Sequence, residues 1–352
     1  MTIRTLMLSV ATILALAGPG AANDGFGGLA ATGLTFGQTD AVEMAEEDLF
    51  ISVDRVAVDY LFRNRTAQDV TGEVIFPLPP VPLTGLLVSD WNLPDDVTQD
   101  NLVGFTATVA GKPVPVSVDR RAVIEPAWQD DRPLAEQYDT PGRDVTAALQ
   151  GFGIPLTLDV QALQAHLLAL PEADKAALKA QGLADFTAGD ATMPAEAWPA
   201  WSVVLRYHWT QTFPAGATLR ISHSYSNLPP GGLFAWDKKI EPDSYNAVLQ
   251  KRYCVDEATS RGIVKRLTHQ VDGETYVMGT HWAIDYVLRT ANSWAGPIGK
   301  FRLTLDKGAE NRLISLCADG VKKTGPTTFV IEKTNFTPRD DLRILVVAPV
   351  QP

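Results

Sequence analysis

The clearest pattern along the chain is an alternation of apolar and polar positions with a period of two. Val56, Val58, Tyr60 and Phe62 occupy one side of such a run, and residues 203–209 repeat the pattern. Alternation of this kind, with β-branched and aromatic residues on one side, is typical of strands that cover a core. Several further short runs are separated by glycine- and proline-containing turns, which favours β-sandwiches.

The segment from 126 to 200 departs from this pattern. Residues 160–169 and 171–183 carry apolar residues at helical spacing, and Pro171 suits the first helical position. We therefore predict a mainly β protein with two β-sandwich-like units and a small α-helical insert. The predicted division is an N-terminal β domain at 23–125, a helical insert and linker at 126–200, and a C-terminal β domain at 201–352.

The first 22 residues have the composition of a secretory signal peptide. Arg4 precedes an apolar stretch from Leu6 to Leu16, and Gly20-Ala21-Ala22 provides small residues for cleavage. The apolar stretch is too short to span a membrane, and no later run of 18 apolar residues follows. We expect residues 1–22 to be removed, the protein to reach the periplasm, and the mature chain to lack a transmembrane segment.

The net charge argues against two classes of partner. The chain carries a formal charge of −11, and loss of Arg4 with the signal peptide makes the mature chain more negative still. A field of this sign repels nucleic acid and anionic lipid, so neither is expected to bind.

Two cysteines, Cys254 and Cys317, are present. In an oxidising compartment an even count favours a disulfide, and two buried free thiols are the alternative. Neither cysteine has a second cysteine or a histidine at ligand spacing, so no metal site is predicted.

Several short sequence segments spread along the chain form a recognisable combination. They are 46–52, 56–64, Phe76-Pro77-Leu78-Pro79, Phe213-Pro214-Ala215-Gly216, His223-Ser224-Tyr225, 286–294, Gly296-Pro297-Ile298, Cys317, and Asn335-Phe336-Thr337-Pro338 before Asp341-Leu342. Together these segments resemble a known family, the exported proteobacterial proteins called domain of unknown function 4424. That family has no assigned activity, so the resemblance implies location and architecture but no catalytic residue.

His223 is the strongest candidate for chemistry because it shares the apolar side of its strand with Ile221 and Tyr225. A buried histidine must satisfy both ring nitrogens, either as a ligand or general base or as a core residue bonded to a hydroxyl or carbonyl. No zinc-binding histidine motif and no phosphate-binding glycine loop occurs, so no cofactor is expected.

Acidic and tryptophan residues supply the weaker candidates. The clusters at 46–48, 95–96, 130–131 and 340–341 could hold a carboxylate pair for glycoside hydrolysis, although adjacent acids usually face solvent. Exposed tryptophans can stack on sugars or anchor a partner. Trp198 in the linker and Trp236 after a Pro-Pro-Gly-Gly turn are the candidates for such a surface.

The sequence therefore favours a non-catalytic module that binds an envelope protein or a glycan. The alternative is a hydrolase of a cell-envelope substrate, with carboxylates and His223 as base or orienting group. This alternative predicts a cleft that contains His223 beside an Asp or Glu. A third possibility is a structural envelope factor without any concave or aromatic surface.

Overall fold

The structure is a computed structural model that describes residues 21–22, 24–30, 33–88, 92–127 and 141–350. Its strands are β1 (Ala21–Ala22), β2 (Gly25–Ala30), β3 (Gly33–Phe36), β4 (Val42–Ser52), β5 (Arg55–Asn64), β6 (Val70–Pro77), β7 (Val81–Pro82), β8 (Thr106–Val109), β9 (Lys112–Val114), β10 (Ser117–Ile124), β11 (Arg143–Asp144), β12 (Ala184–Thr187), β13 (Glu196–Pro199), β14 (Ser202–Phe213), β15 (Thr218–Ser226), β16 (Gly231–Ala235), β17 (Thr268–Val271), β18 (Glu274–Val287), β19 (Ile298–Asp306), β20 (Leu313–Leu316), β21 (Lys322–Lys323), β22 (Thr328–Phe336) and β23 (Leu342–Pro349). Its helices are α1 (Leu83–Val88), α2 (Thr146–Gly151), α3 (Val160–Ala169), α4 (Glu172–Ala180), α5 (Tyr245–Arg252), α6 (Glu257–Leu267) and a 3₁₀ helix at Arg289–Ser293. The prediction of a mainly β protein is confirmed.

The largest sheet has eight strands in the order β21-β22-β19-β4-β5-β15-β8-β9. The alternating run predicted from Val56 to Phe62 forms β5, and all four of its apolar residues are buried. Strand β4 pairs with its neighbour β5 and also, in parallel, with β19, where Leu49 lies opposite Leu303. This sheet therefore joins residues from both ends of the chain.

A second sheet of seven strands has the order β11-β10-β14-β6-β2-β3, with β7 also paired to β14. Residues 202–207 of β14 are all buried, so this part of the strand is covered on both faces. The two large sheets pack face to face, since Phe76 of β6 stacks on Phe105 at 5.0 Å between ring centroids and lies 5.1 Å from the His223 ring of β15. Their facing residues form most of the main core.

A six-stranded sheet centres on β18 and β23, with β1, β16, β17 and β20 as the other strands. Ile344 and Val346 on one face of β23 join the main core. Leu345 and Val347 on the other face pack in a smaller core beneath α5 and α6, together with Trp236. Alternation along a single strand thus separates the two cores.

The helical insert forms largely as predicted. Asp159 caps α3 by accepting a hydrogen bond from the Ala162 amide at 2.9 Å, and α4 begins after Pro171. Leu163 and Leu178 are buried in the main core. Helix α4 ends at Ala180, before the predicted 183, because Gly182 takes a left-handed φ of 65° that stops the helix.

The sheets combine strands from both predicted β domains. Strand β10 from the first segment pairs with β14 from the last, and β15 lies between β5 and β8. Hydrogen-bonded sheets therefore extend across the predicted boundaries at residues 125 and 200, because strands that are distant in sequence pair with one another.

Most of the predicted signal peptide, residues 1–20, lies outside the described residues. Ala21 and Ala22, which the prediction assigns to its end, pair in parallel with Tyr286 and Val287 of β18. Among the described residues, no helix combines the length and apolar character that crossing a membrane would require.

The predicted disulfide is confirmed. Cys254 follows α5, Cys317 follows β20, and their sulfurs are bonded at 2.04 Å across a sequence separation of 63. The bond fastens the two helices that cover the smaller core to the edge of the six-stranded sheet.

We expect replacement of both cysteines, Cys254→Ser with Cys317→Ser, to lower the free energy of unfolding by about 3–4 kcal/mol, because the unfolded chain regains the freedom of a long loop. Urea unfolding followed by circular dichroism measures this loss. The wild-type protein unfolded in the presence of a reductant serves as the matched control and should show a similar loss. An unchanged midpoint in both samples would show that the bond contributes nothing to stability.

Candidate functional site

His223 lies on the inner side of β15 and is sealed between the two large sheets. Its side chain has no exposed surface. Four aromatic rings surround the imidazole at centroid distances of 5.1–6.2 Å, namely Tyr60, Phe76, Phe105 and Tyr225. The predicted position on the apolar side of the strand is therefore correct.

The hydrogen-bond partner of His223 is a carboxylate from the beginning of the described chain. Oδ2 of Asp24 lies 3.2 Å from Nδ1 of His223, and both side chains are fully buried. The backbone of Asp24 is held as well, since its carbonyl accepts from the indole of Trp294 at 3.1 Å and its amide donates to the Tyr60 hydroxyl at 3.4 Å.

Other polar groups accompany this pair inside the core. Glu47 is 1% exposed, and Tyr60 and Tyr286 are fully buried. Burial raises the pKa of both tyrosines well above its ordinary value, so both hydroxyls keep their protons at neutral pH. We call Asp24, Glu47, Tyr60, His223 and Tyr286 the buried polar cluster.

The sequence did not identify Asp24 or Glu47 as members of this cluster. Glu47 was grouped with Glu46 and Asp48 in a cluster of acids expected to face solvent. A shift of register between Met44 and Glu46 in the pairing of β4 with β5 brings both Met44 and Glu47 to the buried side. A bulge of this kind reverses which residues face inward, and the composition of β4 does not reveal it.

The hydrolase alternative predicted an open cleft at His223, and this expectation is wrong. A carboxylate does lie within reach, as that alternative required, but the imidazole has no surface available to a substrate. Contact with a substrate would need the two large sheets to separate, which would expose their shared aromatic core.

The surface role expected for Trp236 is also wrong, because its side chain is 2% exposed. Its indole donates to the Ser260 hydroxyl at 3.0 Å and its ring stacks on Phe234, so α6 covers it. Trp198 lies on β13 and is half-buried. Among the other tryptophans of the described ranges, Trp282 is half-buried and the rest are buried: Trp201, Trp209 and Trp294. Trp91 and Trp128 lie outside the described residues.

An open groove of about 780 Å³ lies on the outer face of the eight-stranded sheet. Its charges lie in rows, with carboxylates on the neighbouring strands β4 and β5 and cations on β19 and β15 to either side. We call it the sheet groove, and its charged residues outside the core are Glu46, Asp48, Asp59, Arg220, Lys300, Arg302, Glu332 and Lys333.

Strand register explains the order of these charges. Arg302 lies opposite Glu332 on one side and Asp48 on the other, and Asp48 lies opposite Asp59. Lys300 bonds Glu46 at 2.9 Å, and this hydrogen bond lowers the pKa of the Glu46 carboxyl. Loss of hydration raises the pKa of the Asp48 carboxyl, the Arg302 charge opposes that rise, and the neighbouring Asp59 charge adds to it.

No metal site accompanies these carboxylates in the part of the chain that the structure describes, since no three His, Cys, Asp or Glu side chains converge there.

These features define a mainly β protein with a sealed histidine–carboxylate pair and an open charged face. The chain belongs to the family described as domain of unknown function 4424, whose family model matches residues 22–345. The resemblance noted from the sequence is thus confirmed over nearly the whole chain. No curated protein matches the chain.

A solved structure from Legionella pneumophila, of a protein described as a candidate nutrient-binding protein, is similar to the chain. It has 15% sequence identity and a TM-score of 0.43, and the match covers 94% of this chain and 71% of the Legionella chain.

We expect Asp24→Ala to lower the free energy of unfolding by about 1–3 kcal/mol, because the buried imidazole of His223 loses its hydrogen-bond partner. Denaturant unfolding near neutral pH measures the change. Asp95 is exposed and serves as the matched control, so Asp95→Ala should change stability by less than about 0.5 kcal/mol. Equal effects of the two substitutions would contradict a role for Asp24 in the core.

The raised pKa of Asp48 predicts a pH-dependent effect of Asp48→Asn. A carboxyl whose pKa is higher in the folded state stabilises the fold while protonated and loses that contribution as the pH rises through the folded pKa. Asp48→Asn should therefore raise the free energy of unfolding at neutral pH, by at most about 0.5 kcal/mol, and this gain should vanish in acid.

Glu46→Gln is the matched control for Asp48→Asn, because Lys300 shifts the pKa of Glu46 in the opposite direction. It should lower stability at neutral pH, and that loss should also vanish in acid. Thermal melts of both variants from acid to neutral pH measure whether the two substitutions change stability in opposite directions. A change in the same direction for both variants would contradict the electrostatic assignment.

Proposed function

We propose that the protein is an exported, non-catalytic binding module of the periplasm that recognises a charged envelope protein through the sheet groove. The observation that carries this proposal is the arrangement of carboxylates and cations in separate rows on the outer face of the eight-stranded sheet. A surface that contacts only solvent can carry its charges at scattered positions. Rows of opposite charge that the strand register aligns can instead select a complementary surface.

Two further observations support binding over hydrolysis. His223 is sealed behind both large sheets, so the carboxylate–histidine pair contributes to the core rather than to a substrate cleft. The groove offers cations such as Arg220, which is exposed and forms no ion pair with described residues, at the edge of a carboxylate row.

A protein partner suits the groove better than a glycan does. Sugar-binding surfaces use exposed aromatic rings as stacking platforms. None of the tryptophans in the described ranges is exposed, and the lining of the sheet groove includes Phe301 as its one aromatic residue, which is buried.

The signal-like N-terminal sequence supports an envelope location. Secretion of the mature chain can be tested by fractionating cells that express the full sequence and by determining the mature N-terminus. Recovery in the periplasmic fraction with a shortened N-terminus is expected, and full-length protein retained in the cytoplasm would contradict export.

We expect the immobilised mature protein to retain an envelope protein in a manner that depends on the groove charges. Arg220→Glu combined with Lys300→Glu should reduce the retained amount by about tenfold, since like charges then meet at the interface. The matched control is Lys239→Glu with Arg261→Glu, which reverses two exposed charges elsewhere. Quantitative mass spectrometry of the eluates from the three baits gives the measurement.

Retention that is lost only in the groove variant supports the proposal. No enriched protein on the wild-type bait, or equal loss in both variants, contradicts it. Circular dichroism of each bait establishes that the three proteins are equally folded.

A further inference from the structure

We propose that a second pocket, beside the disulfide, binds the phosphate group of a small solute. This cationic pocket has a volume of about 380 Å³ and is lined by Lys251, Arg252, Arg289 and Arg343, with Cys317, Asp340 and Asp341. It lies against the six-stranded sheet and shares no lining residue with the sheet groove. The inference therefore does not rest on the proposed function.

The four cations come from three separate elements. Lys251 and Arg252 end α5, Arg289 begins the 3₁₀ helix, and Arg343 lies on β23. Convergence of cations from different elements needs the whole fold, so it differs from a charged run along one strand or helix. It also contrasts with the net charge of −11 that the whole chain carries.

Two of the arginines are held in place by carboxylates. Arg252 pairs with Asp285, whose side chain is 12% exposed. Arg289 donates to Oδ2 of Asp341 through both Nε, at 3.2 Å, and Nη2, at 2.8 Å. The other oxygen of Asp341 accepts the backbone amides of Leu288 and Arg289, so this carboxylate is engaged on both oxygens.

The side chains of the remaining cations have no such partner. Those of Lys251 and Arg343 form no hydrogen bond or ion pair with any residue that the structure describes, and Lys251 is exposed. Asp340 is the one lining carboxylate left to oppose them, and it is exposed to solvent. An anion between Lys251 and Arg343 would offset their mutual repulsion and add charge-assisted hydrogen bonds.

The arrangement favours phosphate over a single carboxylate. A carboxylate presents its two oxygens in one plane, whereas a phosphate offers acceptors in several directions to donors on different elements. The pocket volume lies within the range typical of small-ligand sites, so space remains for the body of a small phosphorylated solute.

The disulfide supplies one wall of this pocket. Sγ of Cys317 lies 3.5 Å from the carbonyl oxygen of Arg252, and Cys254 follows Arg252 by two residues. The bond therefore holds the end of α5, with Lys251 and Arg252, over the strand that carries Arg343. Reduction of the disulfide would remove this constraint on the end of α5 without removing a cation from the pocket.

The test is calorimetric titration of inorganic phosphate into the oxidised mature protein at low ionic strength. We expect saturable binding to one site with a dissociation constant near the millimolar range. Lys251→Gln with Arg343→Gln should weaken binding by at least about tenfold. The matched control, Lys239→Gln with Arg261→Gln, removes two exposed cations elsewhere and should bind as the wild type does.

Absence of saturable binding overturns the proposal, and so does equal weakening by the pocket and control variants. A melting curve without phosphate identifies a variant that has lost its fold. If the pocket variant unfolds, Arg343→Lys replaces it, since this substitution retains the charge but loses the planar guanidinium, and binding should again weaken.

A membrane surface could present the same phosphate chemistry, so cosedimentation with phosphatidylglycerol vesicles distinguishes the two sources. The net negative charge of the protein opposes approach to such a surface, and we expect no cosedimentation. Cosedimentation that the pocket variant abolishes would overturn the assignment to a small solute.

Discussion

The burial of Asp24 against His223 is the interaction on which the arrangement of the two large sheets depends. His223 lies on the eight-stranded sheet, while Asp24 immediately precedes β2 of the seven-stranded sheet. A polar pair in such an apolar environment is stable only when both partners are present and aligned. The pair therefore fixes where the first described strands sit relative to the core, and Trp294 and Tyr60 reinforce that position from either side.

The strands and helices could largely be predicted from the sequence because their signals are local. The period-two run in β5 and the first-turn acids and proline of α4 lie within a few residues of each other. Pairing of β4 with β19 or of β10 with β14 depends on residues far apart, and no local pattern specifies it. For this reason the fold class was predictable while the sheet composition was not.

The candidate site shows the same contrast between local sequence signals and contacts over long sequence distances. His223 was recognised from its own strand, but its partner Asp24 lies about 200 residues away, and nothing in either segment indicates the other. Trp236 follows a turn typical of an exposed loop, yet α6 folds back over it. The surfaces that remain open are built from charges on neighbouring strands or converging elements. The arrangement of these charges depends on the register of β4, β19 and β22 and on the position of α5 over the six-stranded sheet. No local sequence pattern specifies either of these.

The parallel pairing of β4 with β19 also has a consequence for how the chain folds. Glu46 and Lys300, which bond across these strands, are separated by 254 residues. Loop closure over such a distance is slow, and contacts of this kind give a high contact order. Until β19 has been synthesised, one edge of β4 lacks its permanent neighbour, and unpaired strand edges are sites of aggregation. The eight-stranded sheet is thus completed late, and a chain that ends before β19 leaves this edge of β4 without its partner.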